Sequence, residues 1–172
     1  MRAEFLVLRL IHIISAIIWV GSGLFTAFFL IPAVAGNRQI MPQLMEGLQR
    51  RRTFIILPTA GLLAILSGIR LLWIDSAGFA DSYMETGTGR TFSIGGTAAI
   101  LALLTQIFVT RPSGVKLGVI AAQLASSSTS PADRDRLSVE AERLRRRNAI
   151  ATAATVLFGL TAAAAMAVAR YV

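Results

Sequence analysis

The chain has 172 residues, of which 55% are hydrophobic and only 15% are charged, and its formal net charge is +8 at pH 7. Its mean hydropathy of +0.66 is far above that of an ordinary soluble domain, so the composition predicts an integral membrane protein. The sequence contains no cysteine, which excludes disulfides, thiolate metal ligands and a cysteine nucleophile within these residues.

The first predicted membrane helix covers residues 5–34 and contains His12, the one histidine of the sequence. The residues that follow His12 at helical spacing are small or polar, whereas those between them are bulky and apolar. The small and polar set is Ser15, Ala16, Trp19, Ser22, Gly23 and Thr26. Because such residues in a membrane helix face neighbouring helices, we expect His12 to face the interior of a helix bundle.

Three further apolar stretches lie at residues 54–74, 91–110 and 149–169. Each is long enough to cross about 30 Å of hydrocarbon, which takes about 20 residues of helix. The chain is therefore predicted to be all-α, with residues 1–172 forming one integral membrane four-helix bundle. Residues 111–148 are predicted to form a helical hairpin that extends the third and fourth helices. Within this hairpin, Ser130 followed by Pro131 is typical of the start of a helix.

Basic residues are concentrated in the two segments that join helix one to helix two and helix three to helix four. These segments hold 12 of the 17 basic residues, namely Arg38, Arg50, Arg51, Arg52, Arg111, Lys116, Arg134, Arg136, Arg143, Arg145, Arg146 and Arg147. The positive-inside rule predicts that both segments are cytoplasmic and both termini outside, in a bacterial inner membrane. Basic side chains beside membrane ends meet anionic headgroups, so we expect a lipid surface as the partner and no nucleic acid.

His12 is the strongest candidate for a functional residue, because ionisable groups inside a membrane are costly. The predicted spans contain no Asp or Glu, so a proton relay or a hard-metal site lacks ligands. Met166 is predicted at a similar depth, and imidazole with thioether is an axial pair for haem iron and suits copper(I). Arg9 and Arg70 flank the same zone and suit haem propionates, while Trp19 is placed to pack against the ring edge.

Three interpretations of His12 stay open from the residues alone. The side chain is a hydrogen-bond donor between helices, a tetrapyrrole ligand or a copper ligand. We expect no catalytic residues, since catalysis needs acid, base or nucleophilic groups that converge on one site.

The pattern His12-x3-Ala16-x2-Trp19-x-Gly21, followed by an aromatic stretch and Pro32, resembles the first helix of the copper-resistance protein D-like membrane families. It is also similar to the first helix of the small four-helix membrane protoporphyrinogen oxidases. The segment LPTAGLLAILSGIRLL, residues 57–72, resembles their second helix. The resemblance implies a four-helix membrane bundle with a haem, porphyrin or copper ligand at His12. The third predicted helix lacks the lysine that accompanies activity in the oxidases, so we do not expect protoporphyrinogen oxidation.

The leading hypothesis is a polytopic inner-membrane protein that binds haem or another tetrapyrrole through His12, in an electron-transfer or cofactor-handling role. The alternative is a cofactor-free structural or accessory subunit, assembled with a membrane-protein partner or with further copies of itself. It is favoured by the scarcity of reactive residues and by the basic hairpin. A copper-handling membrane protein is the third hypothesis.

Overall fold

The computed structural model describes residues 2–35 and 40–172, and all regular secondary structure in these two ranges is helical. The elements are α1 (Arg2–Phe25), a first π segment (Thr26–Leu30), α2 (Ile31–Ala35), α3 (Met41–Arg50), α4 (Thr53–Asp75), α5 (Asp81–Met84), α6 (Gly87–Thr105), a second π segment (Gln106–Thr110), α7 (Arg111–Ala125), α8 (Pro131–Val168) and a final 3-10 turn (Ala169–Tyr171).

Four helical stretches are long and apolar enough to cross a membrane. They are Arg2–Val34, Thr53–Asp75, Gly87–Ala125 and Pro131–Tyr171. This confirms the prediction of an all-helical chain with four membrane-length helices. The third and fourth stretches are far longer than a bilayer requires, because α7 continues α6 and α8 begins well before its apolar half.

Two antiparallel helix pairs make up the bundle. The most extensive contacts join α1 to α4 and α6 to α8, and smaller contacts of α4 with α6 and of α1 with α8 bring the pairs together. The direction of each pair follows from contacts at its two ends: Glu4 with Arg70 and Trp19 with Gly61 in the first pair, and Thr88 with Val172 and Lys116 with Glu140 in the second.

Small side chains fill the interior. The buried residues on the spanning helices include Ala60, Ala64, Ala98, Ala102, Ala151 and Ala162, while the large buried side chain at the centre is Trp19, which packs with Ala60, Ala102 and Leu103. Large apolar side chains such as Ile17, Leu66 and Phe108 lie exposed on the outside. This distribution is typical of membrane helices, where small residues allow close approach and bulky ones meet lipid.

Each π segment ends two residues before a proline. In the second one, the N–H of Arg111 donates to the carbonyl of Gln106, five residues back, and Pro112 follows. The first π segment stands in the same relation to Pro32. Proline has no N–H to donate to the preceding turn, and one wider turn there lets the helix continue without a break. For this reason α7 extends α6 as one continuous helix.

The helix start predicted at Ser130 is confirmed. Its hydroxyl accepts a hydrogen bond from the backbone N–H of Asp133 at 3.2 Å, and Pro131 occupies the first helical position. Pro131 is suited to that position because its missing N–H would have no helical partner there. The cap begins α8, whose first half packs against α7.

Candidate functional site

His12 lies on the side of α1 that packs against α4. Its Nδ1 atom is 2.7 Å from the carbonyl oxygen of Ala64. Because a carbonyl can only accept, Nδ1 carries a proton and donates, and in the neutral imidazole Nε2 then holds the lone pair. The hydroxyl of Ser67 lies 3.5 Å from Nδ1 and donates to the carbonyl of Leu63 at 2.5 Å. The histidine is therefore held in one tautomer by the α4 backbone.

The imidazole of His12 needs a glycine beneath it. A Cβ atom at Gly68 would lie 2.8 Å from Cε1 of His12, closer than real Cβ atoms approach, and 3.1 Å from its Nδ1, a tight contact. The ring itself is half-buried. Gly68 thus provides the space in which His12 reaches the carbonyl of Ala64.

The face of α1 predicted to point into the bundle is confirmed at His12, Ser15 and Trp19, although Val20, one of the bulky residues between them, also packs against the core. Ser15 and Trp19 are buried and His12 is half-buried, whereas Ile14 and Ile17 are exposed on the opposite side. Periodicity was sufficient for this prediction, because the helix buries the stripe of residues that repeats every 3.6 positions.

Trp19 lies at the centre of the bundle, two turns from His12. Its indole N–H donates to the side-chain oxygen of Gln106 at 2.9 Å, and its ring lies on Gly61, where a Cβ would be 2.8 Å from Cε2. Trp19 is only 7% exposed. Sequence analysis missed Gln106, although an amide within the apolar run of the third helix was a usable signal, since buried amides in membrane helices bond across helices.

Met166 belongs to the other helix pair. Its terminal methyl carbon would lie 3.2 Å from a Cβ at Gly95, so it packs between α8 and α6. The contacts of His12 described above are all with α4. The structure thus places the two predicted ligands in different helix pairs, and no contact described for one is shared with the other.

The two predicted arginines differ in their surroundings. Arg70 donates from Nε and Nη2 to one carboxylate oxygen of Glu4, at 3.1 and 2.7 Å, and this pair is about half exposed. Arg9 is exposed on α1. Glu4 was not predicted, although it is the one acidic residue at the start of the first helix. A propionate at Arg70 would therefore compete with a carboxylate of the same chain.

Within residues 2–35 and 40–172, no group of three or more His, Cys, Asp or Glu side chains is arranged to hold a metal ion. Any metal at His12 would thus depend on few protein ligands, as in a haem, whose porphyrin supplies four of the donors.

Comparison of the chain with protein-family models, with curated proteins and with solved structures gives no match.

Proposed function

We propose that the protein binds haem in the membrane, with Nε2 of His12 as an axial ligand, and serves in electron transfer or cofactor handling. One observation carries this proposal: Nδ1 of His12 donates to the carbonyl of Ala64. Histidines that bind metals commonly donate their other ring N–H to a carbonyl or carboxylate, which fixes the tautomer and makes the ligating nitrogen more basic. In this protein the carbonyl of Ala64 on α4 accepts that hydrogen bond and orients the ring of His12.

The chain's own residues would have separate roles in holding the haem. Ala64 orients the imidazole, Gly68 gives it room, and Arg9 is the exposed cation for a propionate. Met166 as a second axial ligand stays a prediction, and the position of its methyl between α6 and α8 argues for a packing role. Bound haem would supply one-electron redox chemistry.

Absorption spectroscopy of the purified protein tests this proposal. We expect a Soret band in protein produced with ample haem. The variant His12→Asn keeps an N–H donor near the position of Nδ1 but removes Nε2, so it should fold and lose the band. Ser15→Ala, one turn away on the same buried face, should keep it. A colourless wild type, or a full band in His12→Asn, would reject the proposal.

We also propose a cellular location and a membrane topology for the protein. The distribution of basic residues favours a bacterial inner membrane, with both termini outside and the α7–α8 hairpin in the cytoplasm. The four membrane-length helices support a multi-pass arrangement of this kind.

A second candidate function, a cofactor-free accessory subunit, is favoured by the same hydrogen bond. The contact of His12 with Ala64 joins two helices and is by itself a sufficient structural reason for a histidine in the membrane. This candidate predicts colourless protein that co-purifies with a larger membrane assembly. Under this candidate His12→Asn would leave the assembly intact, because the donor to Ala64 remains.

A further inference from the structure

A groove of about 460 Å³ lies on the outer side of the third spanning helix, where the second π segment passes into α7. Its lining residues are Ile107, Arg111, Pro112, Val115, Lys116 and Val119. Several of them recur every four residues, so they form one face of the helix. The groove combines four apolar side chains with two cations.

Ile107 joins the groove to the lipid-facing surface of the bundle, whereas Val115 and Val119 lie beyond Arg111, on the side away from the membrane. Val115 and Val119 are 64% and 54% exposed, and Phe108, beside Ile107 on the membrane side, is 68% exposed. An acyl chain could thus run from the bilayer along Phe108 and Ile107 to the groove without crossing polar surface.

Arg111 lies at the level of the lipid headgroups. It belongs to the same continuous helix as Arg90, and a rise of about 1.5 Å per residue separates the two by about 31 Å, close to the thickness of about 30 Å of a hydrocarbon core. Arginines at both boundaries of one helix are expected to reach the two headgroup layers.

A basic residue of the neighbouring helix, Arg145, lies at this level, where it pairs with Glu142 at 3.5 Å. Lys116 pairs with Glu140 on α8 at 2.6 Å, which fixes the register of the two antiparallel helices. The two helices are antiparallel, so Arg111, five residues before Lys116, lies at the same level as Arg145, five residues after Glu140. Arg111 has no salt bridge within the part of the chain that the structure describes, so its charge is available to an external anion.

We propose that this groove binds one anionic phospholipid, with the phosphate at Arg111 and an acyl chain along Ile107 and Phe108. Lys116 is a second cation whose charge is largely taken by Glu140. The site is independent of haem at His12, which lies on the other helix pair. The charge of the groove selects an anionic lipid over a zwitterionic one, whereas its apolar lining selects a lipid over a free phosphate.

Native mass spectrometry of the full chain in detergent, titrated with phosphatidylglycerol or phosphatidylcholine of equal chain length, tests the proposal. We expect preferential retention of phosphatidylglycerol. Arg111→Gln should weaken its retention about fivefold, as expected for one cation near a lipid surface. Glu140→Gln should strengthen it, because Lys116 is released from its carboxylate partner.

Arg134→Gln is the matched control. It removes the same charge from an exposed position on α8, about 16 Å further along the helix than Arg145, and should leave retention unchanged. Equal loss in Arg134→Gln and Arg111→Gln, or equal retention of both lipids, would overturn the proposal. Displacement of the lipid by inorganic phosphate alone would also overturn it, because it would identify a phosphate site.

Discussion

At the scale of single residues, two ring side chains of α1 are each seated on a glycine of α4. His12 lies on Gly68 and Trp19 lies on Gly61, so the two contacts are two helical turns apart on both helices. A side chain at either glycine would meet a ring at less than 3 Å. These two contacts set the depth of α1 against α4 and fix where the imidazole can find a carbonyl.

Gly68→Ala should therefore move the imidazole of His12 off Ala64. We expect a loss of about 1–3 kcal/mol in the free energy of unfolding, the usual cost of overpacking a tight contact. The matched control is Gly96→Ala, since a Cβ at Gly96 meets nothing within 4 Å. Denaturant titration in detergent would measure both. Equal stability of the two variants would mean that the ring is not confined by Gly68.

Trp19 and Gln106 can be tested as a pair. Gln106→Leu leaves the indole N–H of Trp19 buried without an acceptor, at a cost of about 1–3 kcal/mol, whereas Trp19→Phe removes the donor as well as part of the ring. In the double variant the buried N–H is absent, so its cost should be clearly less than the sum of the single costs. Additive costs in unfolding measurements would show that the hydrogen bond contributes nothing to stability.

At the scale of helices, local signals and tertiary contacts were predictable to different degrees. The inward face of α1 and the start of α8 at Ser130 were predicted because periodicity and capping depend on neighbours in sequence. Two contacts between helices were not predicted: the hydrogen bond of Trp19 with Gln106 and the ion pair of Arg70 with Glu4. Each depends on which helices are neighbours and on how they are aligned along their axes. Met166 was predicted at a depth similar to that of His12, but the sequence does not show which helices pair, and Met166 packs in the other helix pair, against Gly95.

The start of α8 offers a test at this scale. Ser130→Ala removes the acceptor for the N–H of Asp133, and helix caps of this kind contribute about 1 kcal/mol. We expect faster hydrogen exchange in the first turn of α8, with the spanning half unchanged. Ser138→Ala, an exposed serine within the same helix, should leave exchange equal or slower, because alanine favours helix interiors.

At the scale of the whole molecule, the bundle has one charged extension and one compact end. The α7–α8 hairpin lies beyond the membrane-length part of the third and fourth helices, while α5 and the carboxyl-terminal turn lie at the opposite end. Most of the basic residues are on the hairpin side. In the orientation proposed from the charges, a reagent outside the cell reaches the end with α5 and does not reach the α7–α8 hairpin.

Because the sequence has no cysteine, single-cysteine labelling tests that orientation directly. Ser127→Cys at the tip of the hairpin and Ser82→Cys in α5 are both at exposed positions. In intact spheroplasts a membrane-impermeant maleimide should label the variant in α5 and leave the hairpin variant unlabelled until lysis. The reverse pattern would place the hairpin outside the cell.

The alanine-rich interior affects the route by which a cofactor would reach His12. Small buried side chains such as Ala60, Ala64 and Ala102 bring the described helices into close contact, so haem held by His12, as proposed, would lie at the seam of α1 and α4. It would arrive and depart sideways, within the plane of the bilayer, and the bundle would not have to open. Under the proposed function, such a site would suit loading and delivery of haem better than permanent enclosure.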